Sequence, residues 1–379
     1  MKCKNVIDPV NILRVISVLC VFFLHSFIFS SQLGFSFNEK NWFLKTPAWS
    51  AVWLFFLLSG YLIGKGFLSG RYKEDGKYTI ICVFKFYIKR ILKVAIPTWC
   101  FCFLAEVLLE PGVIAHNPMM FLKIFTFTYF NNPASNIIGV TWYVNTLMWL
   151  YLCAPFLAIF AEKILYKIHS TKTRHISTFV AIGIIVCIGF LFRIYLYRCG
   201  VDWSSKIYVP FYCNLDIYIC GILLNFLNDI EISKEKERIL KGCSCLLLFA
   251  TIVVNTRIYY LSDFDYKYMW IYQYVFPSIY ILIGGGYLFC FGRQQTVSLK
   301  PTIENVKKNP LRLIDSFASV SFEFYLLHSM VLNCIYIYIT GATPLVIHIK
   351  LLSAAFLITL LLAVIMHRAF SNIKTANST

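Results

Sequence analysis

Apolar runs close to twenty residues long recur along the whole chain, and each is long enough to span a bilayer. The runs read as transmembrane helices. Spans are expected at 10–31, 49–67, 91–110, 140–160, 176–197, 207–227, 242–258, 269–292, 317–339 and 345–366. With 59% hydrophobic and only 14% charged residues among 379, the chain has far more apolar surface than a water-soluble domain of this length needs. The sequence predicts an all-α polytopic membrane protein, a bundle of about ten transmembrane helices.

The formal net charge of +17 raises the question of nucleic acid. The distribution of the charges answers it. With the N-terminus in the cytoplasm, 25 of the 35 Lys and Arg fall on the inner side and 9 on the outer, while Arg14 lies within the first run. This bias follows the positive-inside rule and places both termini in the cytoplasm. The basic surplus is topological, and no nucleic-acid partner is expected. Fourteen cysteines show no zinc spacing. Cys100/Cys102 and Cys243/Cys245 are C-x-C pairs in or beside apolar runs, which points their thiols apart on a helix. Neither a disulfide framework nor a metal site is implied. The first run follows Lys2 and Lys4 and so mimics a signal peptide, but the Arg inside it and the later spans favour an uncleaved helix.

One membrane domain over 1–379 is expected, with no appended soluble domain. The longest polar stretches, 68–90, 161–175, 228–241 and 293–315, all fall on the expected inner side. "NDIEISKEKERILK" (228–241) reads as a charged connector and "KPTIENVKKNP" (300–310) as a loop. "MMFLKIFTFTYF" (119–130) belongs to an outer loop and reads as interfacial or as dipping towards a cavity. Gly60 and Gly64 share a helix face and allow close helix approach, and "GGG" at 284–286 is read as packing.

The costly residues are the polar ones inside these runs. Arg14 and His25 are eleven residues apart, which is three turns plus about 20° and about 16 Å along the axis. They share one face with Ser17, Val18, Val21 and Phe22, and that face must turn from lipid to the bundle interior. Spacing alone leaves two readings open. Arg14 can snorkel and His25 can bond a neighbouring carbonyl, or His25 can serve as a general base in a cavity. Ser26 diverges from His25 by about 100° and is poorly placed to be activated by it.

A second cluster, Lys85, Lys89, Arg90 and Lys93, lies at the expected cytoplasmic mouth of the third span. Arg90 and Lys93 are three apart and face the same way on a helix. Topogenic charge and an anionic, phosphate-bearing ligand both account for the cluster. Glu106, Asn145, Asp216, Glu323 and His328 are further polar residues expected to face the interior. Asp216 has Arg14 and Arg193 as possible partners. His328 in "FEFYLLHS" echoes His25 in "VFFLHS".

Several of these stretches together resemble the acyltransferase-3 membrane family. "NILRVISVLCVFFLHS" (11–26) is similar to its first helix, with an Arg, ten residues, then a His. "FFLLSGYLIGKGF" (55–67) resembles its second helix, and "YIKRILKVAIPTW" (87–99) its Arg-x-x-Arg-x-x-Pro stretch. "TWYVNTLMWLYLCAPFL" (141–157), "CNLDIYICGILL" (213–224) and "FEFYLLHSMV" (322–331) resemble later blocks, in family order. The resemblance implies a membrane-bound O-acyltransferase of a bacterial inner membrane. It would transfer acyl groups, commonly acetyl from acetyl-CoA, to hydroxyls of cell-surface glycans such as O-antigen or capsule. His25 would be the catalytic base and Arg14 its partner or a ligand anchor. Arg90 and Lys93 would contact the phosphates of acyl-CoA, and Ser59, Trp142, Asp216, Tyr325 and His328 would line the cavity. Acetyl-CoA, or another acyl-CoA, enters as donor substrate and no cofactor is bound permanently. The expected partners are acyl-CoA, a glycan or lipid-linked glycan acceptor and membrane lipids. A transporter or flippase of glycan or acyl intermediates is the alternative. Two positions depart from the family pattern. Asn11 stands where the family often has Asp, and Lys93 replaces the second Arg, keeping its charge but losing the bidentate fork.

Overall fold

A computed structural model describes residues 8–32, 39, 42–109, 111–112, 116–128, 138–292, 312–336 and 345–376. Lys2, Lys4, the loop 300–310 and residues 337–339 of the ninth expected span lie outside them. In chain order the helices are α1 (Pro9–Gln32), α2 (Ala48–Leu68), α3 (Ile80–Arg90), α4 (Ile96–Leu108), α5 (Pro118–Phe125), α6 (Trp142–Leu165) and α7 (Thr171–Arg198). They continue with α8 (Leu215–Leu223), α9 (Lys234–Leu261), α10 (Tyr266–Trp270), α11 (Phe276–Phe291), α12 (Arg312–Ser319), α13 (Ser321–Tyr336) and α14 (Leu345–Ala376). The described residues form no strand beyond an isolated bridge between Glu74 and Lys77. The chain is an all-α polytopic membrane protein.

Eight helical stretches among the described residues are long and apolar enough to cross a membrane, or nine if the bent pair α12–α13 is one span. The difference from the expected ten lies at 207–227. There the chain breaks into a π turn (Ser204–Tyr208), a 3-10 turn (Phe211–Cys213) and a short apolar helix, Leu215–Leu227. Pro210 removes a backbone donor, and the side-chain amide of Asn214 donates to the carbonyls of Tyr208 and Pro210, at 2.7 and 3.0 Å. The same device recurs. π turns at Ile91–Ala95 and Ile271–Val275 also end two residues before a proline, Pro97 and Pro277. Each proline ring would clash with the carbonyl four residues back, and widening the turn relieves that clash.

Two expected boundaries are corrected. Residues 80–90, read as part of a polar connector because of Lys85, Lys89 and Arg90, form α3. Thr79 starts that helix by accepting from the Cys82 N–H at 3.2 Å. The charged stretch 228–241 is also helical from Lys234 on. The 73° bend between α12 and α13 has neither Pro nor Gly behind it. Ser319 and Ser321 donate to the carbonyls of Ser316 and Ala318, at 2.6 and 2.8 Å, and so compete with the helical ladder at the break.

The helices group into two compact units. One comprises Met1–Ala51, Leu92–Trp142 and Thr296–Thr379. Its core is an aromatic cluster: Phe22 of α1 packs on Phe324 of α13 (5.5 Å between centroids) and on Phe356 of α14 (5.5 Å), and Phe324 meets Phe356 at 5.3 Å. Asn11 ties α1 to α12 by donating to Asp315 at 2.9 Å. α5 carries a stack of its own, with Trp99 of α4 lying 4.6 Å from Phe125 at 15°.

The other unit comprises Val52–Ile91 and Tyr143–Gln295. α2 and α8 cross in backbone contact. A Cβ on Gly60 would overlap the Tyr218 carbonyl, and one on Gly221 would overlap the Leu57 carbonyl. Asn225 fastens the crossing by donating to the Tyr61 carbonyl at 2.9 Å. Gly284 fits against Leu54 and Leu57. The Gly60, Gly64 and Gly284 stretches therefore pack helices, as their spacing implies. At one end of this unit, Lys73 (2.5 Å) and Tyr78 both reach Glu162 of α6. Burial, with the Glu162 carboxylate beside it, pushes the Tyr78 phenol above its ordinary range.

Candidate active site

Two histidines meet in the first unit. His25 of α1 and His328 of α13 are 303 residues apart in sequence, yet Nδ1 of His25 lies 2.8 Å from Nε2 of His328. The aromatic cluster sets this register. Phe22 sits three residues before His25 and Phe324 four before His328, so each packed ring is one helical turn from an imidazole. His328 is buried and His25 half-buried. The two rings are 4.9 Å apart at 35°.

The hydrogen bonds fix which nitrogen carries each proton. Nδ1 of His328 faces the Tyr325 carbonyl, which can only accept, so this nitrogen bears the proton. In a neutral ring Nε2 of His328 is then an acceptor. It receives the Nδ1 proton of His25. Nε2 of His25 then carries the lone pair of the neutral ring. When that nitrogen takes a proton, the positive ring still donates from Nδ1 to His328. The pair therefore holds the tautomer needed for a general base, with a neutral imidazole as its orienting acceptor.

Tyr325 is the third member of the group. Its carbonyl holds His328, its ring lies 5.6 Å from that imidazole, and its hydroxyl donates to the Val140 carbonyl at 2.5 Å. Val140 belongs to the 3-10 turn Ile138–Thr141, directly before Trp142, which is partly buried at the start of α6. Ser26 donates to the Phe22 carbonyl at 2.7 Å, in keeping with its exclusion as a nucleophile. Arg14 is partly buried on α1, about 16 Å from His25 along the axis, so the two address different depths. Between them Ser17 is buried, and its hydroxyl has no hydrogen-bond partner among the described residues.

Asn11, the departure from the family pattern, is explained by its partner. An Asp here would face the carboxylate of Asp315, whereas the amide of Asn11 donates to it. Glu323 of α13 pairs with His367 of α14 at 2.8 Å, a contact that sequence reading did not anticipate.

The remaining expected residues lie elsewhere. Arg90 ends α3 in the second unit, with its guanidinium 5.1 Å from the Phe86 ring and 5.2 Å from the Tyr151 ring. Its Nε is buried without a partner among the described residues. Lys93 is exposed in the π turn that follows, so the regular-helix spacing assumed for Arg90 and Lys93 does not hold. Ser59 is partly buried on α2. Asp216 has its own partner: Arg193 of α7 donates to both carboxylate oxygens, at 2.7 and 2.6 Å, and to the Cys213 carbonyl at 3.1 Å. Both side chains are buried, which gives Asp216 a structural role of the kind its possible pairing with Arg193 implied. No group of three or more His, Cys, Asp or Glu that could hold a metal occurs among the described residues.

Apolar helices long enough to cross a membrane define a polytopic membrane protein, and two helices bring His25 and His328 together. The family described as acyltransferase domain, acyltransferase-3, matches residues 7–368. The chain belongs to that family and is a membrane acyltransferase. Neither a curated protein nor a solved structure matches it.

Proposed function

We propose that the protein transfers an acyl group, acetyl from acetyl-CoA being the simplest case, to a sugar hydroxyl of a cell-surface glycan. A sugar hydroxyl is a weak nucleophile at neutral pH. Nε2 of His25 takes its proton as the oxygen attacks the thioester carbonyl. The C–S bond then breaks, and the CoA sulfur recovers the proton from His25. The products are the O-acyl sugar and CoA thiol. His328 and the Tyr325 carbonyl keep Nε2 of His25 unprotonated at the start of the cycle. Arg14 anchors the donor or steadies developing negative charge. Arg90 and Lys93 bind the phosphates of the donor. The aromatic support of Arg90 by Phe86 and Tyr151 favours a fixed guanidinium plane, which suits oxygen anions. Ser59 and Trp142 line the path of the substrates. The protein works in a bacterial inner membrane and acts on O-antigen, capsule or a lipid-linked precursor of either.

The observation that carries this reading is the hydrogen-bonded His25–His328 pair in a chain of the acyltransferase-3 family. The test compares the O-acetyl content of the surface glycan by NMR in cells carrying the wild type, His25→Ala or no gene. Wild type alone should add O-acetyl groups, with His25→Ala present in the membrane at equal amount. O-acetyl content that does not depend on the protein sinks the glycan assignment. Full activity in His25→Ala sinks the base assignment.

A further inference from the structure

The second unit holds a cavity of about 990 Å³ that the chemistry above does not use. It lies between the loop before α3 and the last turns of α6. Its rim carries Lys73, Lys77, Lys163 and Lys167. Its wall is apolar, with Ile80, Phe156 and Ile159 along the two helices. The carboxylate of Glu162 is already engaged by Lys73 and Tyr78. Lys77, Lys163 and Lys167 have no ion-pair partner among the described residues, so three lysine cations line the cavity unpaired. The N-terminus of α3 adds the positive end of its dipole.

Position gives the ligand class. Ile80 opens the apolar span Ile80–Leu108 and Leu165 closes Ile138–Leu165, so the cavity sits where two spans end. Ile80 and Phe156 are 89% and 69% exposed beside the lysines, on helices that run into the bilayer. Cations at a span end, above an apolar wall running along the span, match an amphiphile with an anionic phosphate head and hydrocarbon tails. A purely water-soluble phosphate compound would leave that wall bare.

We infer that this cavity is a binding site for an acidic phospholipid from the surrounding bilayer, with its phosphate among Lys77, Lys163 and Lys167 and an acyl chain along Ile80, Phe156 and Ile159. The inference does not depend on the acceptor assigned above.

Full-length protein in mild detergent, titrated with phosphatidylglycerol or phosphatidylcholine of identical chains and followed by native mass spectrometry, tests it. Wild type should bind phosphatidylglycerol more tightly. Each lysine near an anionic head contributes roughly fivefold, so K77Q/K163Q/K167Q should weaken phosphatidylglycerol about a hundredfold and leave phosphatidylcholine unchanged. K77R/K163R/K167R should keep the preference, as should the exposed control K172Q/K234Q/K236Q. The three single Gln variants, each about fivefold weaker, give the same answer should the triple variant not fold. Undiminished phosphatidylglycerol binding in the Gln variants overturns the inference. So does displacement of phosphatidylglycerol by acetyl-CoA or inorganic phosphate at concentrations matching the lipid, which would assign the cavity to a soluble phosphate compound.

Discussion

Replacing His328 by Phe keeps a ring of similar size in the buried position beside Tyr325 but removes the acceptor 2.8 Å from Nδ1 of His25. His25 then loses that partner, and its ring is free to turn or exchange tautomers. The cost to the transition state is about that of one buried hydrogen bond, ~1–3 kcal/mol. This corresponds to a roughly 5- to 150-fold lower kcat. KM should hardly move, because His328 is buried behind His25. Gln at 328 can bring an amide oxygen to the place of Nε2, so His328→Gln should recover most of the loss. The assay follows CoA thiol release from acetyl-CoA by purified protein with the glycan acceptor. ¹⁵N shifts of labelled His25 report the tautomer directly. A double variant with His25→Ala should be no slower than His25→Ala alone, since both residues serve one proton transfer. A Phe variant with full kcat, or Phe and Gln variants equally slow, would refute the positioning role.

Three further outcomes concern the scaffold. Gly60→Ala or Gly221→Ala forces a Cβ into a backbone carbonyl across the α2–α8 crossing, and overpacking of this kind costs about 1–3 kcal/mol or more. Both should lower Tm in detergent, whereas Gly286→Ala, which meets open space, should not. Asp216→Ala strands the buried Arg193 charge and should cost about 3–5 kcal/mol. The double variant Arg193→Met, Asp216→Leu should regain much of that in the same melting assay, and a double variant as unstable as the single would argue against charge burial as the cause. Burial pushes Asp229 up, but the hydrogen bond from His175 and the charges of His175 and Arg174 hold it below the ordinary carboxylate range. The stability it adds is fully present above about pH 4 and lost as pH falls through the lower folded value. The Tm difference between wild type and Asp229→Asn should therefore disappear in acid. A difference that persists there would mean that packing, and not charge, supports the α7 terminus.

Much of the fold is legible because lipid demands long apolar helices, and composition alone marks where they run. What was not legible follows from effects weaker than hydropathy. Lys85, Lys89 and Arg90 put 80–90 within the polar stretch 68–90, although Thr79 is a good cap and Phe86 and Cys82 give the helix a buried face. The break at 207–227 depends on Pro210 together with the carbonyl bonds of Asn214, which a window average does not see. The bend at 320 depends on which serines turn back onto the backbone. Lys73 and Tyr78 lie in one polar stretch and Glu162 in another, and nothing in periodicity brings position 73 to position 162.

The imidazole pair shows the same limit at the site itself. Leu24-His25-Ser26 and Leu327-His328-Ser329 are matching triplets on apolar helices, each with a phenylalanine one turn before its histidine. Periodicity assigns each histidine to a helix face, but it cannot say that the two faces meet. Burial of Phe22 against Phe324 makes that choice, because two large rings that pack at this depth leave the next turn of each helix opposed. A histidine on one helix alone could take either tautomer. Facing a second imidazole whose own Nδ1 is committed to a carbonyl, His25 has only one arrangement that satisfies every donor. The polar line through α1 is thus completed by α13. Arg14 and His25 share a face of one helix, but the imidazole that meets His25 comes from 303 residues away.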